Sequence, residues 1–204
     1  MKKYLSVLAV AALAACATSA FAQGTVVFNN GTGLVQQWTD NNNQTLINVP
    51  KGGGMVQLFW APSGSAYAPW ASGMTEAAFK TANPLWKQEA AVGFTTPAAG
   101  KFSGGTLTLQ PLAAGGGIDY VVMGWTGNAA SFDAAIAANV LGNVSAKFAS
   151  ATGNPTTVPP GTATPLSGSF GGMVLSPLVP VPEPSTFALA GLGAAALLIF
   201  RRRK

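Results

Sequence analysis

Turn-forming residues punctuate this chain so densely after Gln23 that only short elements fit between them. The 204 residues include 25 glycines and 14 prolines. They fall between short β-branched and aromatic runs, which is how strands joined by turns read in a sequence. Residues 25–29 (TVVFN) form the first expected strand. Residues 45–49 (TLINV) and 55–61 (MVQLFWA) follow, separated by Pro50-Lys51-Gly52-Gly53-Gly54. Residues 87–94 are a further strand, and residues 106–109 alternate polar and apolar as a half-buried strand does. Residues 119–126 (DYVVMGWT) are the richest in β-branched and aromatic side chains, and 144–149 and 169–175 complete the set. Two helical pieces interrupt. Residues 131–138 have Ser131 as N-cap and Asp133 in the first turn, and residues 75–82 carry Glu76 near their start. Both look too short to organise a core. Seven or eight strands in about 150 residues point to an all-β fold, an antiparallel β-sandwich or jelly roll with one or two short helices. A closed barrel is the alternative.

The chemistry available to such a body is narrow. The chain has no histidine, which removes His-based acid/base catalysis and His-ligated metals. Its single cysteine, Cys16, excludes an internal disulfide framework and a cysteine metal cluster. The formal charge of +5 suggests a nucleic-acid binder, but the cations sit at the ends: Lys2 and Lys3, then Arg201, Arg202, Arg203 and Lys204. Residues 23–182 hold five lysines and five acids, which cancel. Phosphate binding needs basic residues clustered on one face. These lysines are scattered singly, so no nucleic-acid partner is expected.

Both ends read as addresses. Residues 1–22 have the parts of a cleavable secretory signal: Lys2 and Lys3, an apolar stretch over 5–15, and Ala20-Phe21-Ala22 as an A-x-A site with cleavage before Gln23. A second reading stays open, because Leu13-Ala14-Ala15-Cys16 fits a lipobox with Cys16 as an acylated N-terminus. At the other end Pro182-Glu183-Pro184 precedes the apolar run 187–200 (FALAGLGAAALLIF) and the cluster Arg201–Lys204. Fourteen helical residues span about 21 Å, short for a bilayer core of about 30 Å. The consecutive cations behind them nevertheless stop transfer and stay cytoplasmic. The expected organisation is a signal over 1–22, a β-sandwich body over 23–176, a Pro-rich linker over 177–186, a single transmembrane helix over 187–200 and a basic cluster over 201–204. Residues 151–184 carry eight of the 14 prolines and read as a partly extended stalk, with one strand at 169–175 docked on the body.

The tripeptide Pro182-Glu183-Pro184, a short span and a terminal Arg cluster, in that order, resemble the PEP-CTERM sorting signal of Gram-negative bacteria. The resemblance covers residues 181–204. It implies recognition by an exosortase, a membrane-embedded cysteine transpeptidase that cuts near the motif. It further implies a precursor anchored in the inner membrane with its body in the periplasm, then a place at the cell surface or in an extracellular matrix. Such proteins are often found in bacteria that make exopolysaccharide. The resemblance identifies a route, and the sorting residues are substrate positions.

Nothing in the body forms a recognisable reactive constellation. The acids Asp40, Glu76, Glu89, Asp119 and Asp133 form no D-x-D or E-x-E pair, and there is no nucleophile elbow or phosphate loop. Asp40-Asn41-Asn42-Asn43 reads as a polar turn. No catalytic residue, metal or cofactor is expected. The leading reading is a structural or interaction protein of the surface or matrix, since low charge leaves little repulsion between copies. The alternative is a carbohydrate-binding module, because the segment from Trp60 through Tyr67 to Trp70 places aromatics on a loop, where exposed rings stack on the apolar faces of sugars. Large aromatics favour burial, so Trp60, Trp86 and Trp125 are assigned to the core. Tyr67 and Trp70 remain as the exposed candidate glycan contacts, with exopolysaccharide as the partner.

Overall fold

The computed structural model describes residues 23–39, 45–94 and 98–178. Twelve strands and two short helices succeed one another among them. The strands are β1 (Gln23–Asn29), β2 (Val35–Trp38), β3 (Leu46–Asn48), β4 (Gly54–Pro62), β5 (Lys87–Gln88), β6 (Val92–Gly93), β7 (Ser103–Ala113), β8 (Gly117–Thr126), β9 (Leu141–Val144), β10 (Phe148–Ala151), β11 (Thr164–Pro165) and β12 (Met173–Pro177). Helix α1 (Glu76–Ala82) lies between β4 and β5, and α2 (Phe132–Ala137) lies between β8 and β9. The N-cap expected at Ser131 is in place, its Oγ accepting from Ala134 N at 3.1 Å, and Thr75 caps α1 in the same way, its Oγ1 accepting from Ala78 N at 3.1 Å. The expected signal peptide, the transmembrane helix and the Asp40–Asn43 turn lie outside the described residues. Among the described residues no helix is long and apolar enough to cross a membrane.

Two sheets form. The smaller has the order β11-β1-β7, and the larger runs β3-β2-β12-β9-β8-β4-β5. Strands β9 and β10 share one edge of β8, and β5 and β6 share the outer edge of β4. The body is β-rich as expected, but it is not purely antiparallel: β1 pairs with β11 and β2 with β12 in parallel. Parallel neighbours need a long crossover between them. Here each pair joins the start of the body to its end, so the rest of the fold serves as the connection. The Pro-rich segment is accordingly less of a stalk than its composition suggests. Gly153 N donates to Thr25 O at 2.7 Å, and β11 and β12 are both laid into sheets.

Two strands predicted as continuous are broken by their own side chains. Between β5 and β6, Glu89 N still donates to Leu58 O at 2.9 Å, while its carboxylate turns to the indole of Trp60. Between β9 and β10, Ser145 Oγ accepts from Val122 N at 2.9 Å, so a hydroxyl stands in the ladder where a carbonyl would be.

The alternation of the two long central strands builds two cores. One face of β4 and β8 (Val56, Leu58, Trp60, Ile118, Tyr120 and Val122) packs against the smaller sheet through Val26, Phe28 and Leu109. The opposite face (Phe59, Val121, Met123 and Trp125) packs under α1 and α2 through Phe79, Phe132 and Ala135. Strand β8 is therefore buried without a break from Ile118 to Trp125, the near-continuous apolar pattern of a strand covered on both faces. This corrects the expectation that the helices are marginal. Each is short, yet together they roof a second core.

Candidate functional site

The loop after β4 carries the predicted glycan contacts, and α1 decides where they sit. Asn83 at the end of α1 is 1% exposed. Its Nδ2 donates to the carbonyls of Ala68 and Phe79, both at 3.0 Å, and its Oδ1 accepts from Ala68 N at 2.7 Å. Trp86 Nε1 donates to Ala66 O at 2.9 Å. The loop is thus pinned over Phe79, whose ring centroid lies 6.3 Å from Tyr67, 6.0 Å from Trp70 and 5.5 Å from Phe59. Trp70 also meets Phe132 edge-on at 5.0 Å, and Tyr67 lies 4.9 Å from Trp86.

The structure therefore brings Tyr67 and Trp70 together, as parts of one aromatic roof. Both are half-buried rather than freely exposed on a loop. The physical reason is that α1 places Phe79 directly beneath them, a long-range contact that loop composition does not announce. Burial pushes the Tyr67 phenol above its ordinary value. Beside it stands an ion pair: Lys147 Nζ is 3.1 Å from Asp119 Oδ2 and 5.9 Å from the Tyr67 ring centroid. Trp60, Trp86 and Trp125 are all buried, as their assignment to the core requires.

The described carboxylates are spread through the fold, each with a structural partner. Glu89 Oε1 accepts from Trp60 Nε1 at 2.8 Å. Asp119 Oδ2 also accepts from Gly64 N at 3.3 Å. Asp133 Oδ1 accepts from Glu76 N at 2.6 Å, so the first turn of α2 caps the first turn of α1. Glu76 Oε1 pairs with Lys80 at 3.0 Å, and its Oε2 is buried without a hydrogen-bond partner. Among the described residues no three acids or cysteines gather as a metal site would require.

The trafficking residues frame this body. Ala20, Ala22, Pro182, Glu183, Pro184 and Arg201–Lys204 lie outside the described residues, as does Cys16. Gln23, the residue after the expected signal cleavage, opens β1 opposite Ala113. At the other end Leu178 is 5% exposed and belongs to the second core. Ser72 Oγ donates to its carbonyl at 3.4 Å. Sequence reading missed Leu178 because its partners, Gly142 and the 70–74 loop, are remote in the chain. Pro182 follows it by four residues, at most about 14 Å of extended chain.

No curated protein and no solved structure matches the chain. Residues 180–204 match a family model, the PEP-CTERM protein-sorting motif. The match covers the tail and says nothing of the β body. The motif at its C-terminus marks this chain as an exosortase-targeted exported protein, membrane-anchored as a precursor and then bound for the cell surface.

Proposed function

We propose that the chain is a non-catalytic structural component of the bacterial surface or extracellular matrix, delivered by cleavage at both ends. A signal peptidase cuts before Gln23. Residues 187–200 then hold the precursor in the inner membrane, with the body in the periplasm and Arg201–Lys204 on the cytoplasmic side. An exosortase cuts near Pro182-Glu183-Pro184. One observation carries this reading: among the described residues the first strand opens at Gln23 and the last, β12, ends at Pro177 with Leu178 docked behind it, so both cuts leave every described strand intact. The structural partners of the described acids support a body without catalytic work.

Intact and peptide mass spectrometry of the protein recovered from its host's envelope and medium tests the route. An N-terminus at Gln23 and loss of everything after about Pro184 is the expected result. A tail still ending in Lys204 overturns the sorting step, and an acylated Cys16 replaces the front-end cut with lipoprotein processing. Neutral replacements of Arg201–Lys204 are expected to impair retention and so reduce processing; unchanged processing removes the anchor from the scheme.

A second reading, binding of exopolysaccharide through Tyr67 and Trp70, is favoured by the gathering of both rings on one patch beside the Lys147–Asp119 pair. Because the rings also roof a core, the test is a Tyr67→Leu/Trp70→Leu double variant, which keeps apolar volume and removes aromatic faces. Retention on host polysaccharide that falls at least about tenfold in a folded variant supports glycan binding. Equal retention leaves the structural reading alone.

A further inference from the structure

We propose that the open edge of β7 joins two copies of this chain, strand to strand, across a two-fold axis. Strand β7 has 11 residues, the longest among the described residues, and it terminates the smaller sheet. Among the described residues β1 is its only ladder partner, so alternate peptide groups along its outer side are free to pair. Folded proteins guard such edges with charges, prolines or bulges. Here the guards stand at the two ends. Lys87 Nζ donates to Gln110 O at 2.8 Å and Pro111 follows it. On the other side Gly105, at φ +72°, sits where the register with β1 shifts between Thr106 and Ser103. The stretch from Thr106 to Leu109 between them carries no charge.

That stretch matches itself. Thr106-Leu107-Thr108-Leu109 alternates, and its pairing with β1 sets the faces: Leu107 lies opposite Val26 and Leu109 opposite Gly24, on the core side, while Thr106 and Thr108 lie opposite Val27 and Thr25, outside. Antiparallel pairing with a second copy, in any register that keeps the faces, sets Thr against Thr and Leu against Leu. This is the self-complementarity an isologous contact requires. The core side also has an unfinished place. Leu109 is fully buried, whereas Leu107 is only partly covered where it packs on the first core. The partner's Leu107 would close that lip. Charge does not oppose the approach, because residues 23–182 sum to zero. A contact built on four or five paired residues falls below about 1,200 Å², in the class of weak complexes, so the dimer is concentration-dependent and gains from crowding on a surface.

The proposal is independent of how the tail is processed. Sedimentation velocity of the full chain in non-ionic detergent, over a wide concentration range, tests it with three variants. Thr106→Lys/Thr108→Lys places like charges across the two-fold and is expected to weaken association at least about tenfold. Thr25→Lys puts the same charge on the same outer face but on the middle strand, and is expected to associate like the wild type. Mixing the double Lys variant with Thr106→Glu/Thr108→Glu is expected to restore association. Circular dichroism confirms that each variant is folded. A wild type that stays monomeric up to about 1 mM, a double Lys variant that associates normally, or a Thr25→Lys variant that fails equally would each overturn the edge as the interface.

Discussion

At the scale of single residues, Tyr120 couples the two halves of the first core. It is fully buried, its hydroxyl donates to Leu166 O at 3.0 Å, and Ser169 Oγ lies 2.8 Å away. Burial raises its pKa, as it raises that of Tyr67. A folded pKa above the unfolded value of about 10 makes a stabilising contribution that is complete below that pH. The contribution is lost as pH rises through the folded value. Denaturant unfolding followed across pH is therefore expected to show stability falling above about pH 10. With no histidine in the chain, no imidazole titrates between about pH 5 and 8. Tyr120→Phe should cost about 1 kcal/mol at neutral pH, for the lost hydrogen bond, and soften the alkaline decline. Gly33 is the second residue-scale test. A Cβ there would fall on the Phe170 carbonyl oxygen and the Gly172 amide nitrogen, where the chain enters β12. Gly33→Ala should destabilise by about 2 kcal/mol or more in thermal or urea melts, because backbone cannot yield as a flexible side chain can.

At the scale of elements, α1 matters for what it holds down. Phe79 is fully buried and touches the rings of Phe59, Tyr67, Trp70 and Trp86. Phe79→Ala should cost about 3–5 kcal/mol and release the 66–70 loop, read as a shift of tryptophan emission toward longer wavelength and lower protection of that loop in hydrogen exchange. Asn83→Ala removes the three bonds that pin Ala68 and Phe79. It should give the same loop signature with a smaller loss of stability, about 1–3 kcal/mol. These elements also show what local sequence can and cannot reveal. The cap at Ser131 was legible because a cap is a contact over three residues. The buried strands β4 and β8 were legible because their β-branched and aromatic content is dense. The partners of Tyr67 and Trp70 were not, since Phe79 and Phe132 reach them only after the chain has folded back. For the same reason β2 went unread: its four residues, VQQW, owe their place to a strand that the chain supplies at its far end.

At the scale of the whole molecule, β12 is an interior strand of the larger sheet, with β2 on one side and β9 on the other. A chain ending at Gly172 is expected not to fold, because it lacks β12, while one ending at Pro184 keeps every described strand and should melt as the full body does; circular dichroism melts of the two truncations check this. The position of β12 bears on the order of events. In the route proposed above the chain is threaded N-terminus first, so β2 and β9 wait with bare flanks until the final strand has crossed, and the arrest sequence follows within about ten residues. Closing the sheet and stopping the thread thus become nearly one event. A polypeptide cut short in synthesis or transit lacks both its keystone and its address, so the architecture itself proofreads what is handed to the sorting enzyme.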